Sequence, residues 1–517
     1  NILQDPEIRS IFHSRYIKKV KEFEYFKSIL FLLPVIESGY NFGQFRIASH
    51  LVSLGIPREK IHFFPLYIKN NKYQFDKEKF INTLIDLKPQ FIGETVYIGW
   101  EKEIYKINKL IRNYIDTKIL IGGPLTSSHL SFCLNNMDAD VVTVGHGEYL
   151  LEEYFREVGK QESFTPVLDI NNVFYKRGKI GENIPYVNKY LDLLYWDVPI
   201  LTELCKIVPV INLFTSDVCY GNCVFCYRTN PLECRFMSQE KLIERVEEIV
   251  NCIPLKELSV KYLRFYDDDF FAAAERKTDF LRRLGNIIKG KLKLFELQCS
   301  IRSIGKNNMD ELANLINELE IQRVTIGVDG FNDEDLRFLQ KGYDMKKVFN
   351  TLTELSSRGV SCLAYCILTT FSTNCNTLNE SLMNMIKLIF LKNVYIGPTI
   401  TPIISVASNN KKLYPQITGE SFIFLKIDSV KDYLNIGDNP QNIIMQAGLL
   451  PKDRIVREFI EINNSFSVMQ SAYIIPILAD FYRLLGAEYN WLVKAKRNIN
   501  KELLLLRKEE KTYGKYG

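Results

Sequence analysis

The stretch Cys219-Tyr-Gly-Asn-Cys223-Val-Phe-Cys226 places three thiols at C-x3-C-x2-C spacing on one short loop. Three thiolates so spaced hold three irons of a cubane iron–sulfur cluster and leave the fourth iron without a protein ligand. An electron-transfer ferredoxin closes that position with a fourth cysteine, whereas an open iron binds a small molecule and does chemistry on it. The competing reading is a zinc knuckle. Zinc needs a fourth Cys or His nearby, commonly in a second paired motif. Cys234 is the close candidate, and no histidine follows His146.

Around this loop the chain alternates between apolar runs and amphipathic stretches. Val208–Phe214 reads as a strand that runs into the cysteines. Further strands are predicted at Tyr262–Tyr266, Phe295–Ser300, Arg323–Val328, Ser361–Thr369 and Asn393–Gly397. Helices are predicted at Ser238–Val250, with Ser238 as N-cap, and at Ala272–Ile288, Asn308–Leu319, Met345–Arg358 and Thr377–Phe390.

Upstream, residues 28–157 alternate in the same way. Strands are predicted at Ser28–Ile36, Ile61–Ile68, Phe91–Ile98, Lys118–Gly122 and Ala139–Val144. Helices are predicted at Phe42–Leu54, Asp76–Leu87 and Glu101–Tyr114. Five strands separated by helices make a parallel, doubly wound sheet, whose ligands sit beyond the carboxyl ends of the strands. The loops there are Glu37-Ser-Gly-Tyr-Asn41, Gly93-Glu-Thr95, Gly122-Gly-Pro-Leu125 and Gly145-His-Gly-Glu148. Small residues let a large flat ligand approach the backbone, although any one glycine also serves a tight turn.

The chain has 517 residues, 46% hydrophobic and 25% charged, as expected for a globular protein of several domains. Its net charge of +5 gives no argument for nucleic acid. The 11 cysteines are scattered through a long chain, which points to a reducing compartment. Residues 1–25 carry charges throughout, and no apolar run reaches the ~20 residues that span a bilayer. The expectation is a cytoplasmic protein without a membrane span. Cys205, Cys252, Cys299 and Cys362 lie in or beside apolar stretches and are expected in the core.

The cysteine loop resembles the signature of radical S-adenosylmethionine (SAM) enzymes, with Phe225 as the aromatic residue usual before the last cysteine. The resemblance implies a [4Fe-4S] cluster on Cys219, Cys223 and Cys226, SAM on its open iron, and a partial (β/α)6 barrel. It assigns SAM contacts to the Tyr266-Asp267-Asp268 segment, to Ser300, to Arg302 and to Asp329. An Arg pairs with a carboxylate through two charge-assisted bonds, and an Asp accepts from ribose hydroxyls. Leu336–Asp344, ending Lys341-Gly-Tyr-Asp, matches a stretch familiar in that superfamily.

The four upstream loops directly before such a motif resemble the cobalamin-binding domain of the B12-dependent radical SAM family. That resemblance makes Ser38, Gly39, Tyr40, Glu94, Thr95, Gly122, Gly123, Pro124, Gly145, Gly147 and Glu148 cobalamin contacts. The Asp-x-His-x-x-Gly motif is absent, so the lower axial ligand is unassigned. Methylthiotransferases carry three further N-terminal cysteines, but this chain has only Cys133 before residue 200.

The fold class implied is α/β, in four parts. Residues 1–157 form a Rossmann-like cobalamin domain, 158–205 a connector with turn signals at Pro185 and Pro199, 206–403 the barrel, and 404–517 a mainly helical region. Helices are predicted there at Arg454–Asn464, Ser471–Leu485 and Ala487–Glu510. The implied function is methyl transfer to an unactivated carbon of a small-molecule, peptide or lipid substrate, through a 5′-deoxyadenosyl radical and methylcobalamin. An external donor such as flavodoxin or ferredoxin would supply the electron. A rearrangement or cyclisation without methyl transfer, and a non-catalytic cobalamin or iron–sulfur sensor, are the alternatives.

Overall fold

The computed structural model describes residues 23–158, 173–175, 196–223, 236–399, 422–424 and 449–451. Within these it excludes residues 24, 37–38, 41, 70–71, 98–99, 129–132, 135–136, 145–146, 217–218, 220, 222, 273–277, 368–374 and 390. Cys226, Ser38, Gly145 and the three C-terminal helices therefore lie outside the described residues.

The first half is one sheet. Its strands are β1 (Ile29–Ile36), β2 (Gly39–Tyr40), β3 (Ile61–Lys69), β4 (Lys72–Gln74), β5 (Phe91–Thr95), β6 (Lys118–Gly122), β7 (Val141–Thr143) and β8 (Val173–Tyr175). The order is β4-β3-β1-β5-β6-β7-β8, with β2 folded back on β1. The five predicted strands are mutually parallel and lie in the doubly wound order of flavodoxin-like folds. The strand order reverses between β1 and β5, so a crevice opens beyond their carboxyl ends. The strands are buried on both faces. Leu30, Leu32, Ile92 and Ile119 pack to one side, Ile29, Phe31 and Phe91 to the other.

In the second half, β9 (Val210–Leu213), β10 (Tyr262–Phe265), β11 (Lys293–Leu294), β12 (Glu296–Ser300), β13 (Arg323–Gly327), β14 (Cys362–Ile367) and β15 (Val394–Thr399) run parallel. β11 and β12 flank Phe295 and act as one strand, pairing first with β10 and then with β13. The result is six parallel strands in sequence order, as a partial (β/α)6 barrel requires. Ser238 caps the helix Gln239–Cys252 as predicted, accepting from Lys241 N at 3.3 Å.

Three expectations change. Within the connector, β8 pairs antiparallel with β7 and extends the first sheet. Pro199 does not turn the chain; it lies in the first turn of the helix Val198–Ile207, where a missing N–H costs nothing. Asp197 caps that helix, accepting from Ile200 N at 2.9 Å, and pairs with Arg58 of the first half at 2.7 Å. Past residue 404, where the three predicted helices lie outside the described residues, Phe422–Phe424 and Leu449–Pro451 form an antiparallel pair. Cys205, Cys299 and Cys362 are buried as expected, but Cys252, the last residue of its helix, is exposed.

Candidate functional site

The cysteine loop leaves the carboxyl end of β9 and is pinned at its base. The buried Asp267 carboxylate accepts from Thr215 N and Thr215 Oγ1, both at 2.6 Å, and from Ser216 N at 2.9 Å. Ser216 bridges to Phe236, so both ends of the loop meet beside β10. Within it, a Cβ on Gly221 would stand 3.2 Å from Cys223 Sγ and 3.3 Å from Cys219 Sγ. The glycine lets the two sulfurs converge. Burial holds the Cys223 thiol above its ordinary value, with Lys341 opposing. A bound metal cation removes that penalty, because it needs the thiolate.

Cys219 and Cys223 open onto a cleft lined by Asp269, Ser300, Arg302, Lys306, Lys341 and Tyr343. Ser300 caps the short helix Ile301–Ile304 in a reciprocal box with Ser303. Ser303 Oγ donates to Asp269 at 2.5 Å and ties that loop to the segment after β10. Arg302 donates to the Lys341 carbonyl at 3.0 Å. It lies so close to Gly342 that a Cβ there would stand 2.0 Å from its Nη2, and Gly342 has φ +70° besides. Asp329, in the left-handed region at φ +64°, is ion-paired with the buried Lys341 ammonium. Burial lowers the Lys341 value, but Asp329, Tyr343 and the Cys223 thiol outweigh it and hold the ammonium charged.

A second cavity, of about 740 Å³, opens beyond the carboxyl ends of β1, β5 and β6. Tyr40, Glu94, Thr95, Gly122, Gly123, Pro124, Gly147 and Glu148 line it. Gly123 takes φ +109°, and a Cβ there would meet Thr95 at 2.8 Å. Gly39 lies just behind, against Asn212 and Tyr266. Glu148 is engaged by the buried Arg46, which the sequence reading missed. An arginine on the apolar face of the helix Phe42–Ser53 was its one signal. Burial pushes the Glu94 carboxyl up to about 8, opposed by the Asn108 amide and Arg112.

The opposite wall belongs to the barrel: Phe214, Tyr266 and Asp268. The segment after β10 therefore divides its side chains between two sites. Asp267 and Asp269 turn to the cysteine side, while Tyr266 and Asp268 face the cavity. Arg264 holds the Tyr266 hydroxyl at 2.9 Å.

Residues 213–382, which carry the cysteine loop and most of the barrel, match the family model described as Radical SAM superfamily. The chain carries a radical SAM domain, and its overall fold is that of cobalamin-dependent radical SAM enzymes. The structure of the cobalamin-dependent S-adenosylmethionine radical enzyme OxsB, with aqua-cobalamin and SAM bound, superposes with a TM-score of 0.64. It is 16% identical, over 95% of this chain and 81% of that one. The radical SAM methyltransferase TsrM from Kitasatospora setae, with cobalamin and a [4Fe-4S] cluster, gives 0.54 at 14% identity, over 81% of each chain. In sequence, the 4'-phospho-dehydrooxetanocin synthase of Priestia megaterium is 22% identical over 306 residues. The match spans 54% of this chain and 40% of that protein, less than half its length. Among the described residues no helix is long and apolar enough to cross a membrane.

Proposed function

We propose that the protein is a cobalamin-dependent radical SAM enzyme that transfers a methyl group to an unactivated carbon. The observation that carries this reading is the shared wall: the segment 266–269 separates the cysteine cleft from the cavity of the doubly wound sheet and lines both. Cys219 and Cys223, with Cys226, are the residues to hold a [4Fe-4S] cluster, and Ser300, Arg302 and Asp329 surround the place for SAM. The glycine-bearing loops and Glu94 are the residues to hold cobalamin. The cluster and SAM supply an organic radical, and cobalamin supplies a methyl carrier. The chain itself positions both groups across one loop, and its apolar cavity walls exclude water. The four-part domain division and an external electron donor belong to this proposal.

A second reading, radical rearrangement or cyclisation without methyl transfer, is kept because the curated relative is named a synthase and not a methyltransferase. Anaerobically reconstituted protein, given SAM and a reductant, separates the two. Retained cobalamin with both 5′-deoxyadenosine and S-adenosylhomocysteine supports the methyltransferase. 5′-Deoxyadenosine without S-adenosylhomocysteine assigns the second reading. Bound cofactors without SAM cleavage would make the protein a sensor.

A further inference from the structure

Glu94 ends the buried part of β5 at the cavity, and both its oxygens lack a hydrogen-bond partner among the described residues. The residue is 5% exposed. Two groups face it from the helix Glu101–Arg112; both favour its charged form, and neither meets its oxygens at hydrogen-bond distance. Asn108 Nδ2 donates to the Met137 carbonyl at 2.9 Å, and Arg112 donates to the Thr117 carbonyl and to Asp140 at 2.5 and 2.6 Å. The other charged groups on the cavity walls are Arg46 and Glu148, which pair with each other, and Asp268 on the far side. A carboxylate without donors in an apolar setting is strongly disfavoured. A carboxylic acid there keeps an O–H donor and a carbonyl acceptor side by side, and both face a cavity that can supply their partner.

A primary carboxamide offers the complementary pair, an acceptor oxygen beside an N–H donor. The corrin ring of cobalamin carries such carboxamides on its periphery. We propose that Glu94 binds the cavity's ligand as a neutral acid, in a two-point hydrogen-bonded pair with a primary carboxamide side chain of the corrin. This rests on the cobalamin reading above and adds the chemistry of one contact. Ionisation removes the donor half and sets a carboxylate against the amide oxygen, so binding weakens with rising pH. Glutamine keeps a donor beside an acceptor and does not titrate.

The test is equilibrium dialysis of methylcobalamin, whose cobalt carries no titrating water, against the full-length apo protein. For wild type, Kd should rise about tenfold between about pH 6.5 and about pH 9, given a group titrating near 8. Glu94→Gln should bind at both pH values as wild type does at the lower, and Glu94→Leu should bind weakly at both. A flat wild-type profile, or a Glu94→Gln profile that still falls, would overturn the proposal and leave the cobalamin reading standing. No binding by wild type at either pH would overturn that reading as well. Circular dichroism on each variant checks the fold, and the comparison of Glu94→Gln with wild type decides the case even if Glu94→Leu misfolds.

Discussion

Asp267 takes three donors from two consecutive residues at the root of the cysteine loop and is 1% exposed. Replacing it with alanine strands two buried N–H groups and a hydroxyl, at a cost of ~2–4 kcal/mol. Asp267→Ala should unfold at lower urea and retain less iron after reconstitution; unchanged iron would mean the loop is held by other contacts. Glu94 is the reverse case, a buried carboxyl with no such donors. Its folded value, about 8, lies above the ordinary carboxyl range, because burial penalises the charged form. The folded state keeps this proton where the unfolded chain releases it. Its contribution to stability is therefore full at low pH and is lost as pH rises from the ordinary carboxyl range to about 8. Relative to Glu94→Gln, the wild-type apo protein should lose ~1.4 kcal/mol per pH unit across that window and then level off. Calorimetric melting of both proteins over pH reads the difference, and parallel curves would place Glu94 in contact with a donor.

At the scale of elements, the loops after β10, β12 and β13 meet around the cysteines because side chains of one close on the backbone of another. Gly342 is the tightest of these points, with φ +70° and the Arg302 guanidinium where a Cβ would go. Gly342→Ala costs ~1–3 kcal/mol of strain and displaces Arg302. 5′-Deoxyadenosine formation should fall on the order of tenfold to a hundredfold, with a smaller change in melting temperature. A variant that binds and cleaves SAM normally would remove Arg302 from the site. The strands were largely legible, since runs such as Ile29–Ile36 and Lys118–Gly122 are local patterns of apolar residues. β8 was not, because three residues at a sheet edge gain their order from β7 rather than from their own sequence. Pro199 misled because a helix start and a turn share the same fixed φ. The cysteine spacing is local and was readable. That Tyr266 and Asp268 turn away from Asp267 and Asp269 depends on which strands neighbour β10, and a one-dimensional pattern carries no such information.

Across the whole molecule, one apolar core runs from Phe26 and Phe45 of the first half, through Trp196, Leu201 and Leu204, to Leu263 and Val324 of the barrel. The helix Val198–Ile207 is the joint. Trp196 meets Phe42 edge-on, with ring centroids 5.9 Å apart, and Asp197 N donates to the Ser49 hydroxyl oxygen at 3.1 Å. The Asp197 carboxylate is fully buried, receives Arg58 through Nε and Nη2, and caps the helix. Removing it deletes the cap and this ion pair, although Arg58 is half exposed and water recovers part of the loss. The expected cost of Asp197→Ala is ~1–3 kcal/mol. Because the joint belongs to both halves, the loss should lower a single denaturation midpoint, followed alike by far-UV circular dichroism and tryptophan fluorescence. Two separated transitions, with only the first shifted, would show that the halves fold independently. The wall that the barrel lends to the cavity would then be a docking contact rather than a continuation of one core.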